Sequence, residues 1–252
     1  MVNKSTDIIA SLAKGLRVLE CFGADSPRLS IAEVAGRTGL DRATARRCLL
    51  TLHHSGYADY DGKYFTLTPR TLRLGMGALT SLPLAQVVQP WLDQLTEQTG
   101  QSCSVSILDG AEIVYLARAA QKRVMSIGLM PGSRLPAHCT SMGRVLLAAL
   151  PETEARAIVE ASDLSPRTPF SLTDPDDIMT RIAAARTDGY VLIEQEIELG
   201  LRSVAVPLLN AQNKTVAALN IGMAATQDQP EEMITRYLPA LHKVQAGLRR
   251  VL

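Results

Sequence analysis

Between Arg28 and Gly56 the sequence sets two helix starts and two helix stops, and this punctuation leaves the segment little freedom. Ser30 is followed three residues later by Glu33, with Ile31, Val34 and Ala35 apolar around them. A hydroxyl and a carboxylate at that spacing each accept a hydrogen bond from an amide that a helix start leaves unbonded, so Ser30 opens a helix. Gly39 closes it, because glycine enters the left-handed backbone region without a steric penalty. Asp41 then caps a second helix, RATARRCLLTLHHSG, which stops at Gly56. Two helices joined by so tight a glycine-containing turn make a helix-turn-helix. Ahead of them, residues 11–22 place Leu12, Leu16 and Leu19 at i, i+4 and i+7, one apolar stripe of a further helix that Gly23 and Pro27 end.

The faces of the second helix carry the functional signal. At 100° per residue, Ala45, Cys48, Leu49 and Leu52 share one side, while Ala43, Arg47 and His54 fall opposite with Thr44 and Arg46 on the flanks. The exposed side therefore presents Arg42, Arg46 and Arg47 with no acidic partner beyond the cap. A merely solvated helix usually mixes charge signs to gain i,i+4 pairs. A helix that reads DNA wants arginine, whose planar fork matches guanine edges and phosphates. Ala43 and Thr44 are small enough for close approach to a groove. In YADYDGKYFTL, residues 57–67, Asp61-Gly62 separates two aromatic-rich pieces, which is a hairpin signal. A hairpin directly after the recognition helix makes a winged helix, with Lys63 at its tip in reach of a phosphate or the minor groove. The competing readings are a plain surface helix and a structural hairpin with a solvated lysine. The expected contacts to double-stranded operator DNA are Ser30, Arg42, Ala43, Thr44, Arg46, Arg47 and Lys63. Charge agrees mildly: residues 1–80 hold 11 Lys and Arg against 7 Asp and Glu, whereas residues 81–252 hold 15 against 18.

Residues 70–83 read as a linker helix, with Leu72, Met76 and Leu79 at helical spacing and Gly75 and Gly77 weakening it. Residues 84–99 form an amphipathic helix despite Pro90, and Trp91 is expected to anchor packing. From residue 102 the period changes. SCSVSILDGAEIVYLAR alternates around Asp109-Gly110, a second hairpin, and VMSIGLM at 124–130 looks like another strand. Helices are expected over 140–150, 152–162, 174–189 and 230–252. Strands are expected over 190–198, 203–209 and 215–222, the last two joined by a turn at Gln212-Asn213. The fold class is α+β: a winged helix-turn-helix at 1–69, the linker, and a domain at 84–252 with a mostly antiparallel sheet.

AKGLRVLECF at 13–22, RLSIAEVAGRTGLDRATARRCLLTL at 28–52, RLPAHCTSMGRVLLA at 134–148 and DGYVLIEQEIELGLRSVAVPL at 188–208 resemble the IclR family of bacterial transcription regulators, in order and over nearly the whole chain. HCTSMGRVLLA, DGKYFTLTPRTLRLG and EQEIELGLRSVAVP are similar to one branch, the pca and pob regulators of aromatic-acid breakdown through protocatechuate and β-ketoadipate. The resemblance implies a GAF-like effector-binding domain after the winged helix, and a homodimer or homotetramer. It places effector positions at Ser141, Met142, Leu201, Ser203 and Asn220. The chain departs from members that bind small keto acids, having Ser141-Met142, Ile193, Ser203 and Asn220 where they carry other residues, which leaves room for an aromatic or dicarboxylic acid.

The residues themselves support an acid in part. His138, Cys139, Thr140, Ser141, Met142 and Gly143 sit where a loop enters a helix, and the open amides of a helix start favour an anion. The competing reading makes Thr140 an ordinary cap and Gly143 a packing residue. If residues 196–198 are extended, Glu196 and Glu198 share one face. Arg202 either grips the effector carboxylate or pairs with a glutamate. Met130, Leu135 and Leu201 could supply an apolar wall.

Other classes are disfavoured. His138-Cys139 and Glu196/Glu198 form no recognisable catalytic constellation, so no enzyme is expected. The cysteines at 21, 48, 103 and 139 have no zinc spacing or disulfide framework, and no cofactor is expected. A metal-responsive regulator using Cys139, His138 and His242, or a DNA-binding protein without a ligand, are the alternatives. No apolar run approaches the ~20 residues of a membrane helix, and no secretion signal is evident, so a cytoplasmic protein with no membrane partner is expected.

Overall fold

The computed structural model describes residues 8–23, 26–75, 83–120, 128–225 and 229–252. The chain divides into two compact units, residues 1–78 and 79–252, a division that falls inside the segment expected to link them.

In the first unit three helices, α1 (Ala10–Glu20), α2 (Ile31–Thr38) and α3 (Arg42–His54), precede the wing strands β2 (Ala58–Tyr60) and β3 (Tyr64–Leu67). The local signals act as their chemistry demands. The Ser30 hydroxyl accepts from the Glu33 amide while the Glu33 carboxylate accepts from the Ser30 amide at 2.7 Å. Gly39 takes φ 67°, and Asp41 accepts from the Thr44 amide at 2.8 Å. At the wing tip Asp61 accepts from the amides of Lys63 and Tyr64, and Gly62 sits at φ 100°. A strand that the sequence did not announce, β1 (Arg28–Ser30), pairs antiparallel with β3, so the wing has three strands in the order β1-β3-β2. The core is Val18, Leu29, Val34, Ala45, Leu49 and Phe65, all nearly inaccessible.

The first helix corrects one expectation. Its buried residue is Val18, whereas Leu12 and Leu16 of the expected stripe are 60% and 49% exposed. The unit's small core accepts only one end of α1. Beyond the wing, Pro69–Thr71 forms a 3-10 turn and residues 72–75 are helical. Met76, Gly77 and Leu79 of the expected linker lie outside the described residues.

The second unit is a six-stranded antiparallel sheet of β4 (Ser102–Asp109), β5 (Glu112–Ala119), β6 (Arg134–Pro136), β7 (Val191–Glu194), β8 (Leu201–Leu209) and β9 (Thr215–Ala224), in the order β6-β5-β4-β9-β8-β7. Helices α4 (Pro83–Thr99) and α8 (Pro230–Leu248) cover one face, packing Leu92, Leu95, Tyr237 and Leu241 against Val105, Val206 and Leu219. Trp91 packs there, and the absence of a side chain at Gly247 admits its ring: a Cβ at 247 would lie 2.3 Å from the indole. Helices α5 (Ser141–Ala148), α6 (Glu152–Glu160) and α7 (Pro175–Asp188) cover the other face, with Met142, Leu147, Val159 and Ile182 against Ile113, Tyr115 and Ala205.

Two strand expectations change. Residues 128–130 of the expected 124–130 strand are irregular, and 121–127 lie outside the described residues; the edge strand is β6 instead. The strand expected over 190–198 stops at Glu194, because Gln195 adopts φ 54° and turns the chain. Glu196 and Glu198 therefore do not share a strand face. No helix among the described residues is long and apolar enough to cross a membrane.

Candidate effector pocket and DNA-reading helix

On α3 the structure exposes Arg42, Ala43, Arg46 and Arg47, with Thr44 half-buried, and Ala45 and Leu49 in the core. The helix carries no acidic residue, so its outer side is uniformly positive. Arg47 and Thr44 also border a groove between α1 and α3 whose floor includes Leu12, Leu16, Leu19 and Leu52. Lys63 is exposed at the wing tip, its ammonium 4.9 Å from the Tyr64 ring centroid. The Ser30 hydroxyl is already committed to the α2 capping box, so a DNA contact there would rest on the backbone at the helix start.

The second unit holds a pocket between the sheet and the start of α5. Its floor is set by strand register. Arg118 on β5 stands opposite Ser104 on β4, which stands opposite Asn220 on β9. One row along, Ser102 faces Gly222, Gly222 faces Ser203, and Ser203 faces Ile193. Thr140, Ser141 and Met142 form the opposing side, with Tyr115, Leu135 and Leu201 as apolar walls. Gly222 adds open space, since nothing lies within 4 Å of where a Cβ would stand.

Leu135, Thr140, Ser141, Met142, Leu201, Ser203 and Asn220 thus share one pocket lining, whereas Met130, His138, Cys139, Gly143 and Arg202 lie outside it. Met130 is 62% exposed on the 128–133 loop, and its neighbour Leu129 reaches the pocket. Arg202 is bound by both oxygens of Glu194 across β7 and β8, so its fork is occupied. Gly143 makes room for the backbone: a Cβ there would lie 2.1 Å from the Ala137 carbonyl oxygen. Thr140 accepts from the Gly143 amide at 3.2 Å, and Ser203 donates to Ser141 at 2.9 Å.

Sequence reasoning missed two features. Arg118, half-buried, is the charged residue of the pocket lining, and its guanidinium donates to Ser104 Oγ at 2.9 Å. The readable signal was the alternation Ser102, Ser104, Ser106 between Cys103, Val105 and Ile107. Cys103 and Val105 join the core under α4 and α8, so the serines form a buried hydroxyl row on the other face. The second is a buried ion pair. Arg144 on α5, 2% exposed, grips both Glu196 oxygens at 2.8 and 2.6 Å and donates to the His138 carbonyl at 2.7 Å. Thr168 and Ser171 donate to the carbonyls of Gln195 and Glu196, tying down the turn that brings Ile197 to the pocket.

His138 and Cys139 belong to this supporting layer. Burial pushes the Cys139 thiol up to about 11, which keeps it protonated at neutral pH. Burial, aided by the Arg144 and Arg167 charges, pulls His138 down to about 4. An unfolded histidine titrates near 6.5, so below that pH the unfolded chain takes up a proton that the folded chain refuses. Stability therefore falls as pH drops from about 6.5 to about 4. Urea unfolding followed by Trp91 fluorescence should show this loss, and His138→Gln should flatten it; an identical pH slope in the variant would contradict the assignment. No group of three or more His, Cys, Asp or Glu that could hold a metal occurs among the described residues.

A helix-turn-helix with a positively faced second helix and a wing, followed by a domain that holds a mostly apolar pocket, is the architecture of a one-chain transcription regulator. The chain belongs to the IclR family: residues 76–248 match the bacterial transcriptional regulator IclR C-terminal domain and residues 11–62 the IclR helix-turn-helix domain. It is similar to the Pca regulon regulatory protein of Pseudomonas putida, 42% identical over 93% of this chain and 81% of that protein. It is equally similar to the p-hydroxybenzoate hydroxylase transcriptional activator of Acinetobacter baylyi, 42% identical over 98% of this chain and 93% of that one. Among solved structures, the inducer-binding domain of a PobR double mutant from Acinetobacter in complex with 3-hydroxybenzoic acid aligns with TM-score 0.63 and 37% identity, covering 67% of this chain and 98% of that chain. The family and these relatives are transcriptional regulators, not enzymes.

Proposed function

We propose that this regulator senses an acid of aromatic catabolism in its C-terminal pocket and thereby changes its affinity for operator DNA. The observation that carries the reading is the pocket itself, a mostly apolar cleft with convergent hydroxyls, an amide and a guanidinium. The relatives named for the pca regulon and p-hydroxybenzoate hydroxylase, and the 3-hydroxybenzoic acid complex, support the class of acid. Leu135, Thr140, Ser141, Met142, Leu201, Ser203 and Asn220 are its proposed contacts. Coupling requires that the DNA-competent state and its alternative differ in ligand affinity, typically by ~1–3 kcal/mol. Gly222→Val, which fills the pocket from an uncrowded strand position, should abolish calorimetric binding of 4-hydroxybenzoate and of β-ketoadipate while operator binding persists. Wild-type protein that binds neither acid would sink the effector class.

Arg42, Ala43, Thr44, Arg46 and Arg47 are the proposed groove-facing residues, with Lys63 on the backbone. Arg47→Ala should cost ~1–3 kcal/mol and relax preference at one base pair, whereas Lys63→Ala should weaken all sequences alike and flatten the salt dependence. Unchanged footprinting by the Arg46/Arg47 double alanine variant would end the recognition-helix assignment.

The proposed assembly is a homodimer or homotetramer. The exposed leucines 12 and 16 beside the α1–α3 groove, with exposed Leu72 and Leu74, offer an apolar surface on the DNA-binding unit. Two linked copies gain effective concentration on a two-fold operator. Leu12→Glu with Leu16→Glu should shift light scattering toward monomer and lower operator affinity by about 100-fold. A wild-type monomer at micromolar concentration, with and without DNA, would refute this.

A further inference from the structure

We propose that Tyr60 and His53 are positioning residues for DNA binding: together they tie the wing tip to the last turn of α3 and aim Lys63 at a phosphate. This rests on the reading of Lys63 as a DNA-backbone contact and names what holds it in place.

The wing tip is Asp61, Gly62 and Lys63, between β2 and β3, and it is tethered from two sides. On one side the Asp61 carboxylate accepts from the Lys63 and Tyr64 amides at 2.9 and 2.8 Å. Arg28 on β1 pairs with the same carboxylate, its guanidinium 4.4 Å from the Tyr64 ring centroid. Arg28 is therefore committed to the tip itself. Lys63 takes part in none of the ion pairs among the described residues. The Glu33 carboxyl is held below its usual range first by its bonds to Ser30 and only last by the Lys63 charge, so Glu33 does not occupy that ammonium. Lys63 is the cation that the tip offers to an incoming phosphate.

The second tether runs back to the reading helix. The Tyr60 hydroxyl donates to the Gly62 carbonyl at 2.7 Å, so a side chain from β2 holds the backbone of the tip. Its ring stacks on Phe65, its cross-strand partner, with centroids 4.3 Å apart and planes 20° from parallel. Phe65 belongs to the core of the unit. Edge-on to Tyr60, at 6.3 Å, lies the ring of His53 in the last turn of α3. His53 Nδ1 is 2.9 Å from the Ala58 carbonyl oxygen at the start of β2. A carbonyl oxygen only accepts, so Nδ1 carries the proton. The path is continuous from α3 through His53 and Tyr60 to Gly62, the neighbour of Lys63. Neither side chain is placed there by burial, since Tyr60 is 38% exposed and His53 is exposed. A phenylalanine would stack on Phe65 equally well; the hydroxyl acts on the tip. A long lysine gains most from a phosphate when its backbone is already fixed relative to the helix that sets register on the duplex.

Salt titration of DNA binding by the full chain tests this, because each phosphate contact contributes about 0.9 to the fall of log affinity with log salt. The probe is a duplex that the wild-type chain selects from a random-sequence pool. Lys63→Ala should lower the slope by about 0.9. Tyr60→Phe should lower it by about half as much and weaken binding about threefold, yet change neither in the Lys63→Ala background. His53→Ala should act like Tyr60→Phe, and His53→Asn, which keeps a donor where Nδ1 stands, should recover the wild-type slope. Base preference should stay that of wild type throughout. Thermal midpoints identify folded variants; a purely structural role would lower the midpoint and leave the slope unchanged. If Lys63→Ala lowers the slope and neither Tyr60→Phe nor His53→Ala does, this inference falls and the Lys63 contact stands. An effect of Tyr60→Phe that persists undiminished without Lys63 also overturns it. If Lys63→Ala leaves the slope unchanged, both fall together.

Discussion

Glu196→Ala should destabilise the C-terminal domain by about 3–5 kcal/mol, one of the two largest losses expected of a single substitution in this chain. The reason lies with its partner. Arg144 is 2% exposed, and its guanidinium is satisfied by the two Glu196 oxygens and the His138 carbonyl. Removing the carboxylate leaves a full positive charge at a site that is 2% exposed, with the His138 carbonyl as its remaining acceptor among the described residues. The pair itself contributes less than this number suggests, because desolvating two ions offsets most of their attraction. That distinction is testable. The double variant Arg144→Met with Glu196→Leu should recover most of the stability that Glu196→Ala loses, in urea unfolding read at Trp91. A loss below about 1 kcal/mol for Glu196→Ala, or no recovery in the double variant, would contradict the account. The pair also positions function: it holds the turn carrying Ile197, so effector affinity in Glu196→Ala should fall with stability.

The comparison of sequence with structure divides along the range of the forces involved. The helix-turn-helix was legible because its determinants are local. Ser30 with Glu33, Gly39, and Asp41 with Thr44 act within a few residues, and each is found in the expected geometry. The Asp61-Gly62 and Asp109-Gly110 hairpins are local for the same reason. The strands at Arg28–Ser30 and Arg134–Pro136 were not legible, since each is three residues long and exists only through its ladder to a distant strand. The stretch after Glu194 alternates like a strand, yet Glu196 is drawn inward by an arginine 52 residues earlier, and no short-range pattern encodes that pairing. In α1 the leucine spacing is genuinely helical, but which face is buried depends on the size of the core beneath it, and Val18 takes that place. Within the pocket, Ser141, Met142, Leu201, Ser203 and Asn220 follow from the resemblance, and Thr140 from the helix start it caps. Arg118 and the serine row could have come from period-two reading alone, had polar residues on a sheet face covered by helices been taken as a lining.

Gly143→Ala should cost about 3 kcal/mol or more, although the same change is ordinarily favourable inside a helix. Two effects oppose each other. Alanine gains ~1 kcal/mol over glycine in helix propensity, and Gly143 lies in α5, where that gain would apply. Against it, the new Cβ would stand 2.1 Å from the Ala137 carbonyl oxygen and 2.4 Å from its Cα. These are backbone atoms, so no side-chain rotation relieves the overlap; α5 must move from the 136–140 turn. Overpacking of this kind typically costs 1–3 kcal/mol, and a rigid backbone neighbour puts the cost at the upper end or beyond. Moving α5 would also displace Ser141 and Met142 from the pocket, so effector affinity should drop together with stability. Gly36 in α2 provides the control, because nothing lies within 4 Å of its Cβ position and its φ is not positive. Gly36→Ala should stabilise the DNA-binding unit by ~0.4–1 kcal/mol. Thermal unfolding of both variants, followed by Trp91 for the first and by circular dichroism for the second, should give opposite signs. A stabilised Gly143→Ala would show that α5 does not approach the Ala137 backbone as closely as described.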